Sequence, residues 1–334
     1  MAENSKISWT DHTFNPWIGC SKVHTGCANC YAETLMDSRL GKAKWGQHGT
    51  RVLTSDANWR EPLKWNREPV VEQVTPHRSD GTLDLEAAVA MERRPRVFCA
   101  SLADVFEEWD GPVLDHNGGE PRMVVPTKQI ATFMGPDDGL EAPQFGDRAV
   151  RLDDVRHRLF RLIDDTPNLD WLLLTKRPER IFDYLQKYRH NVWLGTSVSD
   201  QDTANDAVDK LVECCDLSPV LFLSVEPLTG PVDLTSWLMR DPSPIGWVII
   251  GGESGPNARP CDLKWIRSIV AQCDAAGVPC FVKQMGAVSV NSSTERGPWP
   301  FRPAKTLLWS GKGENVAEWP ADLQVQQFPK GGAE

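Results

Sequence analysis

Six short apolar runs recur along the chain, each closing on small or polar residues: Arg96–Cys99, Trp171–Leu174, Asn191–Leu194, Val220–Leu223, Trp247–Ile250 and Cys280–Val282. Their apolar positions are near-continuous rather than alternating, as strands of a parallel sheet covered on both faces require. Between them the period lengthens to that of helices. Residues 153–166 put Val155, Leu159, Leu162 and Ile163 on one face. Pro178 and Glu179 open a helix expected to run to about Tyr188, because proline is tolerated in a first turn. Residues 200–214 and 262–276 fit two more, with Asp200 and Asp262 as N-caps.

This alternation predicts an α/β sheet or barrel, and such folds build their sites at the C-terminal ends of the strands. The residues after the six runs are Ser101 and Asp104; Thr175, Lys176 and Arg177; Thr196 and Ser197; Ser224 and Glu226; Gly251, Gly252 and Glu253; and Lys283 and Gln284. Turns are polar in any case, yet six in succession offering hydroxyl or charge point to a site. Residues 66–95 and 109–147, rich in proline, glycine and charge, break the rhythm and read as insertions on the barrel rim. From about Ser289 a tail carrying Trp299, Trp309 and Trp319 reads as a C-terminal wrap, which divides the chain into a barrel over 1–288 and an extension over 289–334.

Composition narrows the function classes. No apolar run approaches the roughly 18–20 residues of a membrane span, and the N-terminus has no secretory pattern, so a cytoplasmic protein without membrane partners is expected. A net charge of −10 argues against tracking along DNA by phosphate neutralisation, while leaving room for a local basic patch. Nine cysteines, an odd count in a large chain, argue against a disulfide framework.

The densest chemistry lies in WIGCSKVHTGCANCYAE, where Cys20-x6-Cys27-x2-Cys30 sets three thiols in one glycine-bearing loop. Three thiolates suit a [4Fe-4S] cluster with one iron left open. Zinc fits the spacing equally well, with Cys20 and either His24 or His12 completing a knuckle begun by Cys27 and Cys30. Gly19 and Gly26, each just before a cysteine, would let the backbone wrap closely around a cluster. Elsewhere, Lys176 could pair with a ligand carboxylate, Thr196 and Ser197 could bond a ribose, and Glu226 could hold a ribose or an amine. Cys261, Cys273 and Cys280 read as apolar fillers. The run Arg93, Arg94 and Arg96 reads as a solvated strand entrance or, alternatively, a phosphate grip.

Trp9-Thr10-Asp11, Asn15-Pro16-Trp17-x-Gly19-Cys20 and Gly26-Cys27-x-x-Cys30-Tyr31-Ala32-Glu33 resemble a phage-associated three-cysteine family of radical-SAM-like proteins. The likeness continues through Thr175–Arg180, Val192–Gly195, Ser224–Leu228 and Gly251–Gly255 to Phe281–Gln284. It implies a partial (β/α)6 radical-SAM-type barrel, a [4Fe-4S] cluster on Cys20, Cys27 and Cys30, and S-adenosylmethionine as cofactor. A more distant similarity is to spore photoproduct lyase, through Cys30-Tyr31, Cys99-Ala100-Ser101 and Thr175-Lys176. It implies that Ser101 and Lys176 contact the methionine part of the cofactor and that Cys99 donates a hydrogen atom. Asp104 and Glu253 join the cofactor face, although Gly251-Gly252-Glu253 stands later in the chain than the family's methionine-binding motif, and the first cysteine spacer is six residues rather than three. These resemblances imply a radical enzyme acting on a nucleobase, nucleotide or DNA-linked base and supplied with electrons by a flavodoxin or ferredoxin. The other reading is a non-catalytic zinc- or cluster-bearing protein that pairs with a phage-encoded defence or modification factor.

Overall fold

The computed structural model describes residues 5–74, 89–126, 145–292, 305–307 and 311–329. All six expected runs are strands of one parallel sheet: β2 (Arg96–Cys99), β3 (Asp170–Thr175), β4 (Val192–Val198), β5 (Val220–Val225), β6 (Trp247–Gly251) and β7 (Cys280–Gln284). A seventh, β1 (His12–Thr13), pairs in parallel with β2. It is too short and too polar to leave a hydrophobic signature. The strands lie side by side in chain order, the order produced when each crossover returns to the neighbouring position.

The sheet curls. The ring of Trp9, just before β1, lies 6.2 Å from that of Trp247 on β6, whereas strands five positions apart in a flat sheet would stand about 24 Å apart. Alternation along each strand then sorts the side chains. Phe98, Leu172, Trp193, Phe222, Trp247, Ile249 and Phe281 face inward with Trp9. Val97, Cys99, Trp171, Leu173, Leu194, Leu221, Leu223, Val248, Ile250 and Val282 face outward, into the layer beneath the helices. The chain therefore forms a mixed α/β half-barrel.

Helices α1 (Asp56–Trp65), α2 (Leu152–Asp164), α3 (Gln201–Val212) and α4 (Leu263–Ala276) include the three long helices the sequence predicts. Asp200 caps α3 by accepting from the Thr203 amide, Asp262 caps α4 by accepting from that of Lys264, and Gly277 ends α4 in a left-handed conformation. The helix expected over 178–188 is shorter. A 3₁₀ turn at Pro178–Arg180 leads into a single α-turn, Ile181–Tyr184. One turn already buries Ile181 and Leu185, and Leu185 leaves with extended backbone.

Both insertions contain antiparallel ribbons, Val70–Val74 with Val89–Arg93 and Arg122–Pro126 with Phe145–Ala149. Residues 75–88 and 127–144 lie outside the described residues. The first ribbon does not sit on the mouth of the barrel. It leads straight into the start of β2, and Arg93 binds Asp11 through two hydrogen bonds of 2.6 and 2.9 Å beside β1. Of the C-terminal tryptophans, Trp299 and Trp309 lie outside the described residues, while Trp319 is buried and donates to the Gly313 carbonyl. Residues 325–327 run along β7: the Val282 amide donates to Val325 and the Gln327 amide to Cys280, which covers an otherwise open sheet edge. Phe328 then packs on Phe281 and Trp247, closing the N-terminal end of the barrel. Among the described residues no helix is long and apolar enough to cross a membrane.

Candidate functional site

Followed upward, the inward positions change character. Trp193 gives way to Gly195 and Ser197, Phe222 to Ser224 and Glu226, Trp247 to Gly251, and Phe281 to Lys283. The lower half of the barrel is an aromatic plug. The upper half opens into a cavity of about 280 Å³, bordered by Cys20, Cys27, Cys30, Ser101, Lys176, Ser197, Ser224, Glu226, Glu253, Lys283 and Gln284. The three cysteines and the ends of the parallel strands thus share one space.

The cysteines belong to an excursion over residues 19–50 whose feet are paired, Ile18 with Val52 across two short strands. Two charged holds fix it to the barrel. At Cys20, Arg51 binds Glu107 through two hydrogen bonds of 2.7 and 2.8 Å and donates to Ser21 Oγ, while the Ser21 amide donates to Glu107. Arg177 joins this network, donating to Asp104 at 2.9 Å, to the Ser21 carbonyl at 2.8 Å and to Cys20 Sγ at 3.7 Å. At the other end, Asn29 donates to Glu253 at 3.0 Å, and Arg259 reaches both oxygens of Glu253 and the Thr25 carbonyl.

The expected glycine role changes. The space at Gly19, whose φ is +118°, is taken by the Thr50 carbonyl, and that at Gly26 by Ser199 and His24. Both glycines let the loop dock against protein; neither reserves room for a cluster.

Four expected cofactor contacts border the cavity with groups to offer: Ser101, Lys176, Ser197 and Glu226. The Lys176 ammonium has no carboxylate partner among the described residues. Ser101 accepts from Asn15, and Glu226 pairs with Lys283 at 2.9 Å.

Two other assignments, Cys99 and Thr196, are corrected, and two, Asp104 and Glu253, border the cavity with their oxygens already engaged. Cys99 lies fully buried in the outward layer, away from the cavity, and burial pushes its thiol pKa up; alternation along β2 turns Phe98 inward instead. Thr196 faces outward as well and donates to the Thr175 carbonyl. Asp104 borders the cavity, but its two oxygens already accept from Thr175 Oγ1, the Phe106 and Lys176 amides and Arg177, which fills a carboxylate's roughly four acceptor positions. Glu253 is likewise taken up by Arg259 and Asn29. Burial raises its pKa, and the bonds from Arg259 and Asn29 outweigh this to hold it below the usual range.

Arg51, Glu107, Asn29 and Arg259 carried no sequence signal, because their roles come from contacts between distant segments. Arg93, Arg94 and Arg96 are not a phosphate grip. Arg93 pairs with Asp11 and Glu72, Arg94 faces Asp170 at 3.6 Å, and Arg96 lies 4.0 Å from the Phe328 ring, all at the closed end.

The donor chemistry suits a thiophilic metal group. Burial, followed by Glu107 and Asp104, pushes the Cys20 thiol up to about 12 against the opposing pull of Arg177, so loading a metal there displaces a proton. Among the described residues no three His, Cys, Asp or Glu side chains already converge on one ion; the three thiols share a cavity wall rather than a point. Neither histidine considered as a fourth zinc ligand borders the cavity. His12 stacks on Trp65 at 4.3 Å, and His24 Nδ1 accepts from the Gly26 amide. Burial and, next, the Lys176 charge push His24 down to about 4, leaving it neutral at physiological pH.

No curated protein and no solved structure matches the chain. A family model does, over residues 4–112 and 146–311, and the break between them takes in the first strand of the second ribbon, Arg122–Pro126. Those segments make up most of the chain, which therefore belongs to the family described as protein of unknown function (DUF5131).

Proposed function

We propose that the chain is a radical S-adenosylmethionine enzyme. One observation carries the reading: Cys20, Cys27 and Cys30 face the same cavity as the C-terminal ends of the parallel strands. Cys20, Cys27 and Cys30 would hold a [4Fe-4S] cluster with one iron left open, which would supply one-electron reductive cleavage of S-adenosylmethionine. Lys176, without a carboxylate partner among the described residues, offers its ammonium to the cofactor's carboxylate. Ser101, Ser197 and Ser224 supply hydroxyls, and the Glu226–Lys283 pair presents both charges to a ribose or a substrate. The aromatic plug excludes water from below, which shields a reactive radical. Cys99 is not the hydrogen donor, since its thiol lies in the outward layer.

The resemblance to spore photoproduct lyase extends the proposal to a nucleobase substrate, free or within a nucleic acid. The net charge of −10 makes a free nucleotide or a partner-delivered base as good a fit as duplex DNA. A flavodoxin- or ferredoxin-type protein would supply the electron.

Anaerobic purification tests the reading. The expected protein is brown, carries about four irons per chain and, once reduced, converts S-adenosylmethionine to 5′-deoxyadenosine. Cys20→Ala, Cys27→Ala and Cys30→Ala should each abolish the conversion. A colourless protein with one zinc, or conversion that survives all three substitutions, overturns it.

A further inference from the structure

We propose that Arg177 is a positioning residue that sets the reduction potential of the site from the Cys20 side; this rests on the cluster reading above. Its Nη1 donates to Cys20 Sγ at 3.7 Å, and three other acceptors, Asp104, Glu107 and the Ser21 carbonyl, keep the guanidinium from turning away. A rigid planar fork of donors suits such a fourfold role, and lysine would not reproduce it. The side chain is only 10% exposed, so its charge is poorly screened where it meets the sulfur. Among the described residues no side chain donates a hydrogen bond to Cys27 or Cys30 Sγ; Arg259, whose charge reaches Cys27, is 29% exposed and engaged with Glu253. Lys22, also near them, is 44% exposed and engaged with Glu33.

The charge balance gives the direction. Arg51 and Arg177 together neutralise Asp104 and Glu107 beside Cys20. A single electron from a low-potential one-electron carrier makes the site more negative by one, with no proton taken up. Hydrogen bonds to the sulfurs and nearby net charge are two levers on an iron–sulfur potential. Arg177 supplies both, and each favours the reduced state. Removing it takes away a donor and leaves one uncompensated negative charge.

The test is a potentiometric titration, read by the electron paramagnetic resonance of the reduced cluster, on anaerobically reconstituted full-length protein. Arg177→Gln should lower the reduced-to-oxidised ratio at a fixed potential by about tenfold or more, equivalent to 59 mV for one electron. Arg177→Lys should fall between it and wild type. Arg189→Gln, which breaks an ion pair with Asp164 just before β4, at the closed end of the barrel, should leave the potential unchanged. The inference is overturned if both Arg177 variants titrate with wild type, or if Arg189→Gln shifts as far as Arg177→Gln. Should Arg177→Gln load no iron, Arg177→Lys decides alone, and an unshifted potential rejects the inference. A wild-type protein that binds no cluster rejects the cluster reading itself and the inference with it.

Discussion

At Cys20 the excursion is held by charges almost out of reach of water, Arg51 at 0% and Glu107 at 2% exposure. Toward Cys27 and Cys30 the holding cation, Arg259, is 29% exposed and can be replaced by solvent as it lets go. Two buried charges that lose a partner cannot be rescued by water, so the first hold is rigid and costly to break. The second can yield. One cysteine is thus fixed to the barrel while the other two ride on the part of the loop able to adjust to a ligand.

The largest effect should come from breaking the buried hold. Arg51→Met takes the two shortest ion-pair bonds from Glu107, leaving it the Ser21 amide and the longer Arg177 contact, and should cost about 3 kcal/mol of stability, measured by urea unfolding. A loss within experimental error of zero would mean that Glu107 is not buried as described.

Glu253→Gln, at the more exposed hold, should cost less, about 1–2 kcal/mol at pH 7. Its pH dependence sharpens the contrast. The folded Glu253 pKa is held below the ordinary 4.5, so its contribution is complete above about pH 4.5 and fades as pH falls below that value. Wild type and Glu253→Gln should therefore converge in stability in acid. A gap that stays constant down to pH 3 contradicts the assignment.

The smallest effect belongs to Asn29→Ala, which removes one side-chain tie worth about 1 kcal/mol or less. Hydrogen exchange reads it best. Amides of residues 25–30 should exchange faster while that of Ser21, bound to Glu107, keeps its protection. Equal acceleration at both ends would erase the distinction between the holds.

Much of this architecture was legible in the sequence, because buried parallel strands and capped helices write their periods into local residues. The six strands and the caps Asp200 and Asp262 needed no distant partner to be seen. Strand-end groups were legible only in part. Lys176 and Ser197 point into the cavity, but Thr196, one residue from Ser197, turns away, as does Cys99, one residue from Phe98. Runs that are apolar on both faces hide which face is the inside, so Cys99 could not be placed without the curl of the sheet. Asp104 and Glu253 show the complementary limit. A carboxylate at a strand end looks free in sequence until an arginine elsewhere, Arg177 or Arg259, claims its oxygens. Of the fourteen tryptophans, Trp9, Trp193 and Trp247 pack against one another inside the barrel. What the pattern concealed was that they gather in one place.

That gathering makes the barrel a cul-de-sac. Among the described residues Trp247 at its centre and Phe328 beneath it close the floor, so the cavity opens on the side of the cysteine excursion. Whatever seats deepest must arrive first and depart last. Under the proposed reaction, a product formed deep in the cavity would leave only after the occupant above it moves.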